Sequence, residues 1–428
     1  MLLRPSSVSR RLRRPSSLLR FCAGLALAAL ILDTLLLTIQ LPPSHKLGSR
    51  ITRNPHSPKQ TVFIASVHRD SAPRLHATWS DAVLQLIRLL GPENVYFSAA
   101  EHASSDATVP ELLQLEQRLH DLQVGNTIHF GRTAWDLEDE ASGEPPSGDE
   151  AGWVWHPKHQ RWALRRVPID AQARNQALLP LHELLKQGRT FDRVLWLDDN
   201  VIFQPEDAVS LLETRDGDYA AVCSAAQVGP STYRLNALTL RDDDGHLPVS
   251  AHWPWLSSSR SRSAAWAGKP IPVRSCWGGI VAFDAQPFYD PDSPLRFRSV
   301  SDEVASLNME ASERCLIQTD NPLANSRGIW IEPSVRNTLD CKEGCWKPAR
   351  PFSPDTWLTA IRGVWSNRLG TRRGASSGAE TNPEFPRVRD WAARGDPRVD
   401  EKAVSCLMDE MQIIKRTKWT FKLSNAGS

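Results

Sequence analysis

Residues 194–203 read Val-Leu-Trp-Leu-Asp-Asp-Asn-Val-Ile-Phe (VLWLDDNVIF), and this stretch decides the fold. A β-branched and aromatic apolar run enters an acidic pair, Asp198 and Asp199, passes Asn200 and resumes as an apolar run. A run of this type, bounded by polar residues, reads as a strand buried on both faces. Its acids emerge where the strand ends, and open α/β sheets bind their ligands outside the carboxyl ends of the strands. Adjacent carboxylates at a buried strand end are costly unless something cationic lies between them. A divalent metal holding a diphosphate meets that need, and Asp198, Asp199 and Asn200 offer the hard oxygen donors that suit Mn²⁺ or Mg²⁺. In an extended chain Asp198 and Asn200 share a face, and Asp199 joins them only if the chain turns there. A Walker B strand also ends in acids, but it needs a GxxxxGK[ST] loop. The Gly268-Lys269 pair is followed by Pro270 and has no glycine five residues before it, which removes that alternative. The bland alternative is a solvated loop after a core strand.

Around this stretch strands and helices alternate. Thr61–Val67 and Asn94–Ala99 read as buried strands, and Leu75–Leu90 and Pro110–Leu122 as helices, the first stopped by Gly91-Pro92 and the second opened by a proline. Ile169–Lys186 has helical periodicity and leads into the acidic strand. The order strand, helix, strand, helix predicts an α/β fold with a mixed, mostly parallel sheet flanked by helices. The polar turn Glu101–Thr108 then falls at the carboxyl end of the second strand, where a nucleotide is gripped. Tyr219–Ser224 and Ile280–Phe283 read as further strands, with Gly278-Gly279 permitting close backbone approach. Residues 311–320 form a buried helix or strand, and residues 329–331 and 335–337 close the core. Asp242-Asp243-Asp244-Gly245 resembles a hairpin tip more than a metal site.

The N-terminus adds a location. Residues 1–20 carry six arginines and no acid, a cytosolic tail, and residues 21–39 are apolar apart from Asp33, Thr34 and Thr38. That length spans a bilayer, and the basic flank before it places the rest of the chain in the lumen. A cleaved signal peptide is the alternative to an uncleaved anchor. Residues 40–60, rich in proline and polar residues, read as a stem. This layout predicts a single-pass type II protein of the Golgi membrane, with a catalytic domain at 61–350 and a partly disordered extension at 351–428. Lys and Arg number 51 against 49 Asp and Glu, a balance that gives no reason to expect a nucleic-acid partner. Seven cysteines include Cys22 in the anchor and leave an even number in an oxidising lumen, with connectivity open. Sixteen tryptophans are many for this length; most read as core or interface residues, and in a carbohydrate enzyme some stack on sugar rings.

Several segments, taken in order, resemble the fungal capsule-associated α-1,3-mannosyltransferases: VFIAS at 62–66, ENVYFSAAEHASSDAT at 93–108, RNQALLPL at 174–181, VLWLDDNVIFQPEDA at 194–208, YRLNALTLRDDDG at 233–245, SCWGGIVAFDAQPF at 275–288, LRFR at 295–298 and ASERCLIQTD at 311–320. The resemblance implies a metal-dependent GT-A-like fold and a retaining transfer of mannose from GDP-mannose to a glycan acceptor. It implies nucleotide contacts for Glu101, Ser104, Asp106 and Thr108, and diphosphate contacts for Arg174 and Asn175. It implies metal ligation by Asp198 and Asp199, with Asn200 beside them, and an acceptor side formed by Trp277 and Gly279. Glu313 and Asp284 become the candidate catalytic carboxylates, stabilising oxocarbenium-like charge or orienting the acceptor. Against that role, Ser312 and Glu313 are also good first-turn residues of a helix. Two departures stand out: Ala103 replaces the family's glycine, and Arg314 replaces a cysteine. A transferase of the same fold using another nucleotide sugar, such as a xylosyl donor, and a non-catalytic assembly protein are the alternatives.

Overall fold

The computed structural model describes residues 60–143, 152–156, 160–228, 232–233, 238–248, 256–339, 385–394 and 401–414, with six residues between Gly24 and Leu32. The chain divides into two units, Met1–Pro42 and Pro43–Ser428. Among the described residues no helix is long and apolar enough to cross a membrane, and the expected span at 21–39 lies mostly outside them.

The second unit is built on an eleven-stranded mixed sheet. Nine strands form its main path: β1 (Val62–His68), β2 (Val95–Glu101), β3 (Gly125–Phe130), β4 (Arg193–Leu197), β5 (Ala221–Val228), β6 (Arg241–Asp242), β7 (Ile271–Ser275), β8 (Ile280–Asp284) and β9 (Ile329–Leu339). Their spatial order is β3-β2-β1-β4-β8-β5-β9-β7-β6. Pairings β3–β2, β2–β1, β1–β4 and β5–β9 are parallel, and the other four are antiparallel. Only β8 and β7 therefore run against the remaining seven. From β1 the chain moves outward through β2 to β3, then returns to the opposite side of β1 as β4. The order reverses at the β1/β4 boundary, which opens a crevice at the carboxyl ends of these two strands.

Period-two alternation sorts the two faces. Phe63, Ala65, Val194 and Trp196 pack with Ala171, Ala177, Leu178 and Leu181 of helix Arg166–Lys186. Val62, Ile64, Leu195 and Leu197 pack on the other face, against helices Ser80–Leu90, Thr108–Asp121 and Pro205–Leu212. The expected helix at 75–90 begins as a π-helical turn, Leu75–Trp79, before its α-helical part. The 311–320 segment is a helix, Glu313–Thr319, capped by Ser312, whose side chain accepts from the Arg314 amide. β3 and the hairpin Trp153–His156/Arg161–Leu164 were not expected from the pattern. The first is half-exposed and polar in sequence, and the second carries tryptophans that read equally as loop.

Two disulfides join residues distant in sequence, Cys223–Cys276 and Cys315–Cys406. The second ties residues 401–414 into the unit. Glu310 and Ala311 pair antiparallel with Met408 and Leu407, and Arg298 bridges Asp320 and Glu401 at 2.6 and 2.8 Å. The segment after 400 is therefore part of this unit's core, with Ala403, Cys406, Leu407 and Met411 buried against Val304, Met309 and Leu316.

β5 and β8 come so close that a Cβ on Gly278 would stand 1.8 Å from the Ser224 carbonyl oxygen. No side-chain rotation relieves a backbone clash of that size, so the backbone itself must shift. Gly278→Ala is expected to destabilise the protein by about 2 to 4 kcal/mol in urea denaturation.

Candidate active site

The acidic stretch turns where β4 ends. Val201 N–H donates to the Asp198 carbonyl at 3.3 Å, so residues 198–200 form a tight turn and Asp199 stays beside its neighbours. Trp79 Nε1 holds the Asp198 carbonyl at 3.0 Å, and the Asp198 amide donates to Gly279 at 2.8 Å. Gly279 has φ +89°, a left-handed value that favours glycine, so its fixed backbone registers this turn against β8.

The Asp198 carboxylate is buried and fully engaged. Oδ1 accepts from Trp196 Nε1 at 3.1 Å and Oδ2 from Trp277 Nε1 at 2.8 Å. Arg174 Nη1 lies 3.6 Å from Oδ1, and Arg314 Nη1 lies 3.7 Å from Oδ2. Arg174 in turn donates from Nε to Glu313 Oε1 at 3.1 Å. Its guanidinium sits 4.8, 5.0 and 5.4 Å from the ring centroids of Trp196, Trp277 and Phe297. An aromatic box of this kind holds a cation by its ring quadrupoles while excluding water. Burial opposes charge on Glu313, but Arg174 and Arg314 outweigh it and hold its carboxyl below the usual range. Asp170, one turn before Arg174 and paired with Arg166 at 2.9 Å, is pushed up by burial, with Arg166 opposing and Glu313 adding to the rise. The sequence reading missed Asp170 and Arg166, although their four-residue spacing along the Arg174 face was visible.

Asp199 faces the other wall of the crevice. Its Oδ2 accepts from the Arg69 amide at 3.4 Å and from Arg74 Nη2 at 3.3 Å, and Arg74 Nε donates to its carbonyl at 3.1 Å. Burial pushes its carboxyl up to about 6, with Arg74 opposing and Asp198 adding to the rise. Asn200 Oδ1 is buried without a hydrogen-bond partner among the described residues.

The loops after β1 and β2 are knitted together beside this turn. Glu101 Oε1 accepts from the Ser104 amide at 2.8 Å, and Ser104 Oγ accepts from the Asp70 amide at 3.2 Å. Asp106 Oδ2 takes the Ala72 amide at 3.1 Å, and Thr108 Oγ1 takes the Ser71 amide at 2.8 Å. Ala103 sits at φ +54°, so the position where the family pattern has glycine keeps the left-handed backbone without it.

The structure thus brings Glu101, Ser104, Asp106, Asp198, Asp199 and Asn200 to the carboxyl ends of β1, β2 and β4, with Arg174 and Glu313 behind Asp198. Five sequence assignments come out differently: Asp284, Asn175, Trp277, Gly279 and, as a metal ligand, Asp198. Asp284 lies at the far end of the sheet, because β8 runs against β4 and pairs Asp284 with Arg193 while Ile280 pairs with Leu197. Five residue steps of strand, from the level of Arg193 to Asp198, separate it from the turn by about 16 Å. There it binds Arg193 at 3.2 Å and Arg327 at 2.5 Å, a structural ion pair. Asn175 is spent on the backbone of Phe297, donating at 2.8 Å and accepting at 2.9 Å, which leaves its amide no place at a diphosphate. Trp277 is buried with its N–H on Asp198, so it supports that carboxylate instead of offering an acceptor platform. Gly279 fixes the turn, as described above.

Asp198, ringed by two indole donors and two guanidiniums, is a poor metal ligand. Asp199, whose raised carboxyl lacks full compensation, and the orphaned Asn200 oxygen fit a hard cation. Asp242, Asp244 and His246 also lie within ligating distance of one another. Asp242 is buried there as acceptor for five donors, the amides of Asp244, His246, Ser257 and Ser258 and the Ser257 hydroxyl, so its oxygens organise a loop.

An α/β sheet that gathers acids, arginines and a hydroxyl-rich turn at its topological switch defines a ligand-binding crevice. The model of the family described as cryptococcal mannosyltransferase 1 matches residues 61–320, and the chain belongs to this family of glycosyltransferases. It is 26% identical over 270 residues to alpha-1,3-mannosyltransferase CMT1 of Cryptococcus neoformans var. neoformans serotype D, covering 60% of this chain and 53% of that protein. The chain therefore spans about half the length of that relative. Among solved structures it is similar to the mannosyltransferase PcManGT of Pyrobaculum calidifontis in complex with GDP-Man and Mn²⁺. That match has 13% identity, covers 86% of this chain and 88% of that one, and has a TM-score of 0.35. It is also similar to glucosyl-3-phosphoglycerate synthase of Mycobacterium tuberculosis, at 12% identity over 74% of this chain and 85% of that one, with a TM-score of 0.32.

Two outcomes follow from this geometry. Asp284→Asn breaks a buried ion pair remote from the crevice and is expected to lower stability by about 2 to 4 kcal/mol. Turnover per folded molecule should stay within about twofold of wild type, because only the fold is touched. The second outcome concerns His68, buried at the end of β1 between Ser66 and Ser71 and pushed down to about 3 by burial and then by Arg74. Its folded form stays neutral where the unfolded chain takes a proton. Its stabilising contribution is thus full above pH 6.5 and is lost as pH falls through the acid range toward 3. Urea midpoints should drop between pH 7 and 5, by at most about 1.4 kcal/mol per pH unit for this residue, and His68→Gln should flatten that drop.

Proposed function

We propose that this protein transfers mannose from GDP-mannose to a glycan acceptor, with an α-1,3 linkage and retention at the anomeric carbon. Membership of the mannosyltransferase family supports the sugar. One observation carries the placement of the chemistry. The Asp198–Asn200 turn sits at the β1/β4 switch point, with an under-compensated carboxylate and an orphaned amide oxygen side by side. Asp199 and Asn200 would hold a divalent cation, Mn²⁺ or Mg²⁺, which when bound neutralises a departing diphosphate. The turn from Glu101 to Thr108, fastened to residues 70–72, forms the floor for the nucleotide. Glu313, kept ionised by two arginines, stands where a fixed negative charge lowers the energy of an oxocarbenium-like sugar. The acceptor hydroxyl loses its proton to the leaving phosphate.

We also propose that the protein is a single-pass type II protein of the Golgi membrane. The arginine-rich start and apolar segment at 21–39 support this, and so do two disulfides, which persist in oxidising compartments.

The test presents a panel of nucleotide sugars, including GDP-mannose and UDP-xylose, with and without Mn²⁺. GDP-mannose turnover that falls by about 10² to 10³ in Asp199→Asn is the expected result. Turnover of a different donor would replace the sugar, and a folded wild type that binds no nucleotide would leave a non-catalytic assembly protein.

A further inference from the structure

Arg314 is the second residue of the helix Glu313–Thr319, and its charge has two close partners. Nη1 lies 3.7 Å from Asp198 Oδ2, Nε lies 3.3 Å from Glu313 Oε1, and the guanidinium carbon lies 5.3 Å from the Trp277 ring centroid. Neither ion pair is a hydrogen bond. Nε is buried without an acceptor, and the Arg314 side chain makes no hydrogen bond among the described residues. Each oxygen of Asp198 already accepts from an indole, Trp196 or Trp277, and those of Glu313 accept from Arg174 and Ser312, while Arg314 approaches them only at ion-pair distance. Arg314 is therefore held in place by charge while its planar fork of donors has no acceptor among the described residues, and its buried Nε is left at a cost. The side chain is 27% exposed, against 6% for Arg174, so an incoming ligand can reach it.

We propose that Arg314 binds a phosphate oxygen of the donor's diphosphate, with Asp198 and Glu313 acting as positioning residues for its guanidinium. The inference rests on the sugar-nucleotide reading above and adds a ligand to it. A planar guanidinium meets phosphate oxygens in a two-pronged contact that a lysine cannot reproduce. The carboxylates fix the fork before the ligand arrives, so little side-chain freedom is lost on binding.

The test uses the full chain and isothermal titration with three probes: inorganic pyrophosphate, GDP and UDP, each in Mn²⁺ and in chelator. Arg314→Ala is expected to weaken pyrophosphate and nucleoside diphosphate binding tenfold or more in every condition where wild type binds. Arg314→Lys, which keeps the charge and loses the fork, is expected to recover part of that loss. If Arg314→Ala proves unfolded by its urea midpoint, Arg314→Lys carries the test, and binding within twofold of wild type overturns the proposal. The same holds for a folded Arg314→Ala that binds within twofold. Wild type that binds GDP with Arg314→Ala unaffected removes this residue and leaves the donor reading intact. Wild type that binds pyrophosphate but no nucleoside diphosphate overturns the donor reading and leaves Arg314 as a phosphate ligand. Binding of none of the probes overturns both.

Discussion

The site depends on making one buried carboxylate tolerable. Asp198 sits at the end of a strand whose every residue is buried, where an uncompensated charge would cost several kcal/mol. Its solution is local: two indole N–H groups take its oxygens, and two guanidiniums balance its charge. Each helper must then be held. Arg174 is boxed by Trp196, Trp277 and Phe297, and Glu313 takes its Nε. Much of the unusual tryptophan content near the site thus serves as hydrogen-bond donor and low-dielectric wall, a use that sugar stacking does not describe.

That solution divides the labour between neighbours in the chain. Asp198 looks inward to the arginines, while Asp199 looks across the crevice to Arg69 and Arg74 and retains a raised carboxyl. Adjacent acids with opposite surroundings can carry opposite roles, one structural and one reactive. The turn at 198–200 makes this possible, since an extended chain would have sent Asp199 to the far face.

The strand and helix order was legible in the sequence because buried parallel strands are continuous apolar runs, and the acidic pair marked where the ligand crevice would open. β3 was not legible, since GNTIHF at an edge carries no apolar pattern. Asp284 misled because a motif gives order along the chain but not strand direction: β8 runs antiparallel to β4, and that reversal carries the residue away from the crevice. Asn175 and Trp277 misled for a different reason. Their neighbours in sequence do reach the site, but their own polar atoms are captured by Phe297 and Asp198. Arg314, noticed in the sequence only as a departure from the family pattern, gains meaning once the structure sets it between two carboxylates.

The Cys315–Cys406 bridge also sets an order of assembly. Cys315 directly follows Arg314 and Glu313, yet its partner is made 91 residues later, and the strand that pairs with Glu310 and Ala311 begins at Leu407. During synthesis the sheet and its crevice can form well before the helix bearing Glu313 receives its last support. The nascent protein therefore passes through a stage with the loops after β1 and β2 formed and an unanchored cluster around Asp198. Completion of that cluster waits for the segment around Cys406 and for an oxidant, so its assembly is tied to oxidation as well as to folding of the sheet.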